Sequence, residues 1–199
     1  MTHLILASTS SARKQILENV GLSFDAMPPR VDEEVLKQGL LAEEISPRDM
    51  ADALAEAKAV KLSTKFPDAL VIGADQMLAL DDGSLLDKPD SPETAKGQLE
   101  SMSGTNHRLF SAVVIAQAGA PLWRHVGIVR MSVRPLSSTF IDDYVTRNWD
   151  AIRHCVGCYQ IEGEGAQLFN KIEGDHFDIM GLPLLPLLAF LRERKEIAS

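Results

Sequence analysis

Apolar and polar positions along the chain switch repeatedly between the two-residue period of a strand and the three- to four-residue period of a helix. Leu4 to Ala7 reads as a short buried strand, and the polar run Ser8-Thr9-Ser10-Ser11 follows it at once. Ser10 or Ser11 caps a helix through Val20, with Ile16, Leu17 and Val20 on its apolar face and Gly21 ending it. Ser23 to Met27 is predicted as a strand stopped by Pro28-Pro29, and the acidic segment Val31-Asp32-Glu33-Glu34 as a loop. Ser46-Pro47 opens a helix carrying Met50, Leu54, Ala57 and Val60. Leu70 to Ala74 is too apolar for an edge strand and belongs at the centre of a sheet.

Further along, Asp82-Gly83 between Met77–Leu80 and Ser84–Leu86 predicts a hairpin. A helix runs from Ser91-Pro92 to Met102, and two long strands cover Leu109 to Gln117 and Trp123 to Val133. Ser138 caps a helix to about Arg147, shorter strands are expected at Tyr159–Ile161 and Ala166–Ile172, and a last helix starts near Pro186. Hairpin and helical crossovers together predict an α/β protein with a mixed sheet flanked by helices.

Composition narrows the class. A chain of 199 residues, 45% hydrophobic and 24% charged, suits a globular protein built as one domain or as two lobes sharing one sheet. A net charge of −8 argues against a general nucleic-acid binder, while a few clustered cations can still hold a small anion. No apolar run approaches the roughly 18 residues of a membrane span, and Leu4 to Ala7 is too short for a signal peptide. A cytoplasmic protein with no membrane or nucleic-acid partner is expected. Cys155 and Cys158 form the one C-x-x-C. A structural zinc needs four ligands and no second pair is suitably spaced, so small, partly buried thiols are expected.

The candidate chemistry sits where two apolar strands run into polar residues. Hydroxyls of Ser8 and Ser10 at a helix start suit an oxyanion, although either can be a plain cap. Arg13 and Lys14 on a first turn oppose the helix dipole, a local liability that a bound polyphosphate offsets. Asp75 follows the second strand, in partly dehydrated surroundings that suit a base for an attacking water or a ligand for a cation.

Leu4-Ile5-Leu6-Ala7-Ser8-Thr9-Ser10 with Arg13 resembles the opening signature of the Maf-like nucleoside triphosphate pyrophosphatases. Six further stretches match in the family's order: Val31-Asp32-Glu33, Ala57-Lys58-Ala59, Ile72-Gly73-Ala74-Asp75, Lys88-Pro89, Ser103-Gly104 with His107, and Gly181-Leu182-Pro183-Leu184. The resemblance implies a single Maf-like domain over 1–199, an elongated mixed sheet flanked by helices with two lobes and a central cleft, and a cytoplasmic homodimer. It implies a house-cleaning enzyme that cleaves a nucleoside triphosphate into monophosphate and pyrophosphate with a divalent cation, Mg2+ or Mn2+. Asp75 takes the catalytic position, Glu33 and Asp75 hold the metal, and Ser8, Ser10, Arg13, Lys14, Lys58 and Lys88 bind phosphates.

The resemblance also bears on the base. Gln76, and Glu162 in Tyr159-Gln160-Ile161-Glu162-Gly163, match the branch acting on 7-methylguanosine triphosphate rather than the pyrimidine-preferring branch. A carboxylate at Glu162 accepts hydrogen bonds from guanine's N–H donors. Ala12 departs from that branch, which has a tryptophan there able to stack on a cationic base. The alternatives are a pyrophosphatase of different or broad specificity, UTP and dTTP included, and a catalytically weak nucleotide-binding regulator of cell division.

Overall fold

In the computed structural model, which describes residues 2–198, strand β1 (Leu4–Ala7) is buried along its whole length and lies between two parallel neighbours. One is the two-residue β2 (Asp25–Ala26); the other is β3 (Leu70–Leu80), paired so that Ile5 faces Val71 and Ala7 faces Gly73. Ser10 caps helix α1 (Ser11–Asn19), its Oγ accepting from the Arg13 backbone N–H. Ser46 caps α3 (Pro47–Lys65) with Pro47 in the first turn.

The acidic segment at 31–34 is not a loop. Asp32 accepts a hydrogen bond from the Val35 N–H and caps α2 (Glu33–Ala42), whose first turn holds Glu33 and Glu34. Acids in a first turn complement the helix dipole, so this run is a helix start rather than a solvated connection.

The chain divides into two compact units. The first holds the described residues up to Gln76, then Phe110–Gly127, then the described residues from Asp175 on. Its core on one sheet face joins Leu4, Leu6, Leu70, Ile72, Ala74, Val113 and Ile115 to Ile16 and Leu17 of α1 and to Leu187, Leu188 and Leu191 of α7 (Leu184–Glu193). Side chains alternate along a strand, so Gly73 and Asp75 point to the opposite face, where α3 packs. There Gly73 is a contact point: a Cβ on it would lie 2.2 Å from the Ala55 carbonyl oxygen and 2.7 Å from the Ala59 nitrogen. Helix and strand backbones meet directly at this point.

The second unit comprises Met77–Leu109 and Ile128–Gly174. It contains β4 (Leu85–Leu86), antiparallel to the end of β3, and α4 (Pro92–Met102), packed on α5 (Ser138–Ile152). It also contains β7 (Phe169–Glu173), antiparallel to β6 (Ala120–Val133). With β5 (Asn106–Gln117) the strands form a mixed seven-stranded sheet in the order β2-β1-β3-β5-β6-β7, with β4 paired to β3.

Several expected boundaries move. Leu70 to Ala74 and Met77 to Leu80 are one strand, because Asp75 and Gln76 contain no breaker and buried Met77, Leu78 and Ala79 continue the pattern. Asp75 therefore sits inside a strand, not at its end. No strand forms at Tyr159–Ile161: Val156–Cys158 and Glu164–Leu168 are short 3-10 turns, and β7 begins only at Phe169. Ser137 rather than Ser138 caps α5, which continues to Ile152. A short helix α6 (His176–Ile179), capped by Asp175, precedes the turn into α7.

Gly73→Ala tests the close approach of α3 to β3. Forcing a methyl group between two backbones is expected to destabilise by about 1–3 kcal/mol or more. Equilibrium urea unfolding should show a lower midpoint with an unchanged slope, and a wild-type midpoint would contradict the contact.

Candidate active site

The backbone contact at Gly73 fixes what lies one turn along α3. Lys58 stands between Ala55 and Ala59, and its Nζ donates to Asp75 Oδ1 at 2.6 Å. The same nitrogen lies 2.8 Å from Glu33 Oε2 in the first turn of α2. Lys58 is 5% exposed and Asp75 8%, whereas the Glu33 side chain is 52% exposed. A surface lysine would not be driven into such a place. A buried charge is costly without its partner, and removing one member of such a pair destabilises by about 3–5 kcal/mol.

Arg13 is clamped from three sides. Its Nε donates to the Gly181 carbonyl at 2.7 Å, and Nη1 donates to the Ala74 carbonyl at 2.9 Å and to Ser8 Oγ at 3.4 Å. All three acceptors are neutral oxygens. Burial lowers the guanidinium pKa from its ordinary value, and the nearby Asp75 and Glu33 carboxylates oppose that shift. An arginine keeps its proton in any protein setting, so the result is a fixed cation, held by dipoles, beside two acids. Ser8 also accepts from the Ser10 N–H at 3.1 Å, which folds the segment between β1 and α1 around the guanidinium.

The structure brings Ser8, Arg13, Glu33, Lys58 and Asp75 together in the first unit. Ser10 is adjacent, with its hydroxyl engaged as the cap of α1. Lys14 is exposed and lies 3.6 Å from Glu18 one turn along the same helix. Ala12, also on α1, is half-buried and offers no ring to a ligand.

Gln76 points to the opposite face from Asp75. Its Nε2 donates to Ser111 Oγ at 2.9 Å, to the Asp178 carbonyl at 2.9 Å and to the Ile179 carbonyl at 3.0 Å. Ser111 and Asp178 were not among the residues singled out from the sequence. The available signal for Ser111 is a lone hydroxyl within the buried run Phe110-Ser111-Ala112-Val113. The Asp178 carboxyl lies against Gly127, and burial, with Asp175 adding to it, pushes its pKa up to about 6.

Lys88 and Glu162 belong to the second unit, where both are exposed and both act electrostatically on Cys155. Burial and Glu162 raise the Cys155 thiol pKa, with a Gln160 hydrogen bond and Lys88 opposing. Burial pushes Cys158 up to about 12, and its Sγ donates to Gln98 Oε1 at 3.0 Å. Thiols raised in this way are poor nucleophiles at neutral pH. In the same unit His107 is fully buried, with Nε2 2.8 Å from the Tyr159 hydroxyl, and burial lowers its pKa to about 4. His107 is thus a neutral core partner of Tyr159.

Comparison with known proteins places this geometry in a family. A family model described as Maf-like protein matches residues 3–194. The chain is 56% identical over 189 residues to a nucleoside triphosphate pyrophosphatase of Sphingopyxis alaskensis, covering 95% of this chain and 96% of that one. It is 56% identical over 191 residues to a protein of the same name from Ruegeria pomeroyi, covering 96% of both. A 7-methyl-GTP pyrophosphatase of Brucella abortus is 48% identical over 192 residues, again covering 96% of both. With its phosphate-suited cluster built from the same stretches that carry the resemblance, the chain belongs to the Maf-like protein family.

Proposed function

We propose that this chain is a nucleoside triphosphate pyrophosphatase, releasing the nucleoside monophosphate and intact pyrophosphate. The observation that carries this reading is the buried Asp75 carboxylate, 2.6 Å from the Lys58 ammonium and within electrostatic reach of the Arg13 guanidinium. End-to-end similarity to proteins named for that activity supports it. A regulator that only held nucleotides would gain nothing from a carboxylate beside an anionic ligand.

Attack of water on the α-phosphorus increases charge on the oxygens around it, so positioning and electrostatic stabilisation dominate. Arg13 and Lys58 are cations already held at fixed points by the protein, and they pair with phosphate oxygens without reorganising. Asp75 accepts the proton of the attacking water or orients it. Lys88 adds a further phosphate contact, on the strength of the family resemblance.

Glu33 and Asp75 are both ion-paired to the Lys58 ammonium, so the two carboxylates lie close to one another beside it. Such a pair fits magnesium, which takes one or two carboxylates and completes its shell with water and substrate phosphates. Glu33 and Asp75 would hold Mg2+ or Mn2+, which supplies neutralisation of the phosphate charge.

The proposed substrate is a guanine-type nucleotide, with 7-methyl-GTP first. Support comes from the Brucella relative's name and from the carboxylate at Glu162, a match for guanine's N–H donors. The protein is proposed to act in the cytoplasm as a homodimer. No helix among the described residues is long and apolar enough to cross a membrane.

Asp75→Asn preserves size but removes the charge and basicity. The loss of rate is expected to reach at least the 10²–10⁴-fold, approximately, of general base catalysis, with a wild-type circular dichroism spectrum. Pyrophosphate release at the wild-type rate would remove Asp75 from the mechanism.

Products offer an independent check. Ion-exchange chromatography of the reaction should show monophosphate and pyrophosphate as first products, and EDTA should stop turnover. A diphosphate intermediate with free phosphate would instead identify a stepwise phosphatase.

For the base, Glu162→Gln is expected to lower kcat/KM for guanine nucleotides relative to UTP and dTTP by about 10-fold, the scale of one lost hydrogen bond to a charged group. A wild-type protein that already favours those pyrimidines over every guanine nucleotide would overturn the guanine assignment and leave the reaction type standing.

A further inference from the structure

We propose that Gln76 and Ser111 are positioning residues for Arg13, acting through the backbone of the 178–181 turn. The proposal rests on the pyrophosphatase reading of the site and deepens it.

The side-chain amide of Gln76 has two N–H bonds. Three acceptors share them: Ser111 Oγ and the carbonyls of Asp178 and Ile179, all within 3.0 Å. The Ser111 hydroxyl donates its single hydrogen to the same Asp178 carbonyl at 2.6 Å. Asp178 and Ile179 end α6, where helix carbonyls lack partners within the helix. Gln76 and Ser111 therefore add side-chain donors at this helix end, where the Asp178 carbonyl also accepts from the Gly181 N–H at 3.1 Å. On its other side the Asp178 side chain is seated against Gly127, where a Cβ would lie 2.1 Å from Oδ2.

Two residues beyond Ile179 comes Gly181, buried and with φ of +85°, a backbone conformation that favours glycine. Its carbonyl is the acceptor for Arg13 Nε at 2.7 Å. A Cβ built on Gly181 would lie 3.3 Å from Arg13 Nη2, 3.4 Å from Nε and 3.7 Å from Gln76 Cδ. The Gly181 backbone is thus packed between the two side chains, so movement of the 178–181 turn moves the acceptor that aims the guanidinium. The remaining main-chain anchor of Arg13 is the Ala74 carbonyl, two residues before Gln76 on the same strand. Both ends of the Arg13 clamp therefore trace back to β3. With both of its N–H bonds committed to these acceptors, the Gln76 amide is fixed in orientation and has no donor left for a ligand.

The test compares the wild type with Ser111→Ala and Gln76→Leu, using inorganic tripolyphosphate as a probe that has phosphates and no base. Its inhibition constant is measured alongside kcat/KM for GTP, 7-methyl-GTP, UTP and dTTP. Ser111→Ala removes one donor to the Asp178 carbonyl and Gln76→Leu removes those to the Asp178 and Ile179 carbonyls, so the turn loosens and affinity for tripolyphosphate is expected to fall about 3- to 10-fold. All four nucleotides should lose the same factor, leaving their ranking unchanged. In an Arg13→Lys background the added loss should disappear, since residues acting through one group are not additive.

A Gln76→Leu protein that keeps its tripolyphosphate affinity but reorders the nucleotides would make Gln76 a reader of the base and overturn the proposal. So would wild-type affinity in Ser111→Ala, whose side chain is fully buried and touches no ligand in either reading. Losses that simply add to that of Arg13→Lys would mean general loosening, and would overturn it equally. Failure of the underlying function is distinguishable, because it appears in the unmodified protein as no pyrophosphate from any nucleotide.

Discussion

The direct meeting of two backbones at Gly73 is the constraint on which the charged cluster around Asp75 depends. With no side chain there, α3 settles against β3 closely enough that Lys58 reaches Asp75 two residues along the strand. Any larger residue would push the helix outward, and a lysine that moved outward would meet water instead of a buried carboxylate. The ion pair is therefore a consequence of packing and not its cause. A buried pair contributes little net stability, so the fold supplies the energy and the charges supply the chemistry.

The two faces of β3 divide the work. Gly73 and Asp75 face α3 and the charged cluster, while Ala74 and Gln76 face the core side, where α7 and the 178–181 turn lie. One strand thus places the carboxylate on one side and secures the cation's anchors on the other. Arg13 illustrates why anchors are needed. A cation in the first turn of a helix opposes the dipole, and burial adds a desolvation cost. The carbonyls of Ala74 and Gly181 and the hydroxyl of Ser8 replace part of the lost hydration with fixed dipoles, leaving a charge that is held in place and not neutralised by contact.

The sequence was legible where local chemistry decides structure. Ser10, Ser46 and Ser91 cap the helices that their positions announced, and Asp82-Gly83 turns the hairpin. Asp75, Lys58, Arg13 and Glu33 stand out in the sequence because family motifs isolate them, and the structure brings them together. Where tertiary contacts decide, the pattern misled. Asp75 looked like the end of a strand because a charge interrupts an apolar run, yet Lys58 compensates that charge and β3 continues through it. The 31–34 run looked like a solvated loop, since acids in a row do not reveal which one is a cap. Arg13 and Lys14 are neighbouring cations that the family motif separates and local pattern does not. On a helix adjacent residues point about a quarter-turn apart, so one reaches the interior and the other pairs with Glu18 on the surface.

Gln76 and Glu162 show the same limit from the other direction. Both were linked to base preference, but their environments differ in kind. Gln76 lies in a strand interior with its donors already committed, so a substitution there disturbs the 178–181 turn before any ligand arrives. Glu162 is exposed in a turn of the second unit, where a change of side chain leaves the packing intact. Only a residue of the second kind can change its partner without altering the anchors of Arg13. Exposed turn positions such as Glu162 can therefore vary without cost to the fold, whereas the buried, mutually dependent contacts around Arg13 and Asp75 cannot.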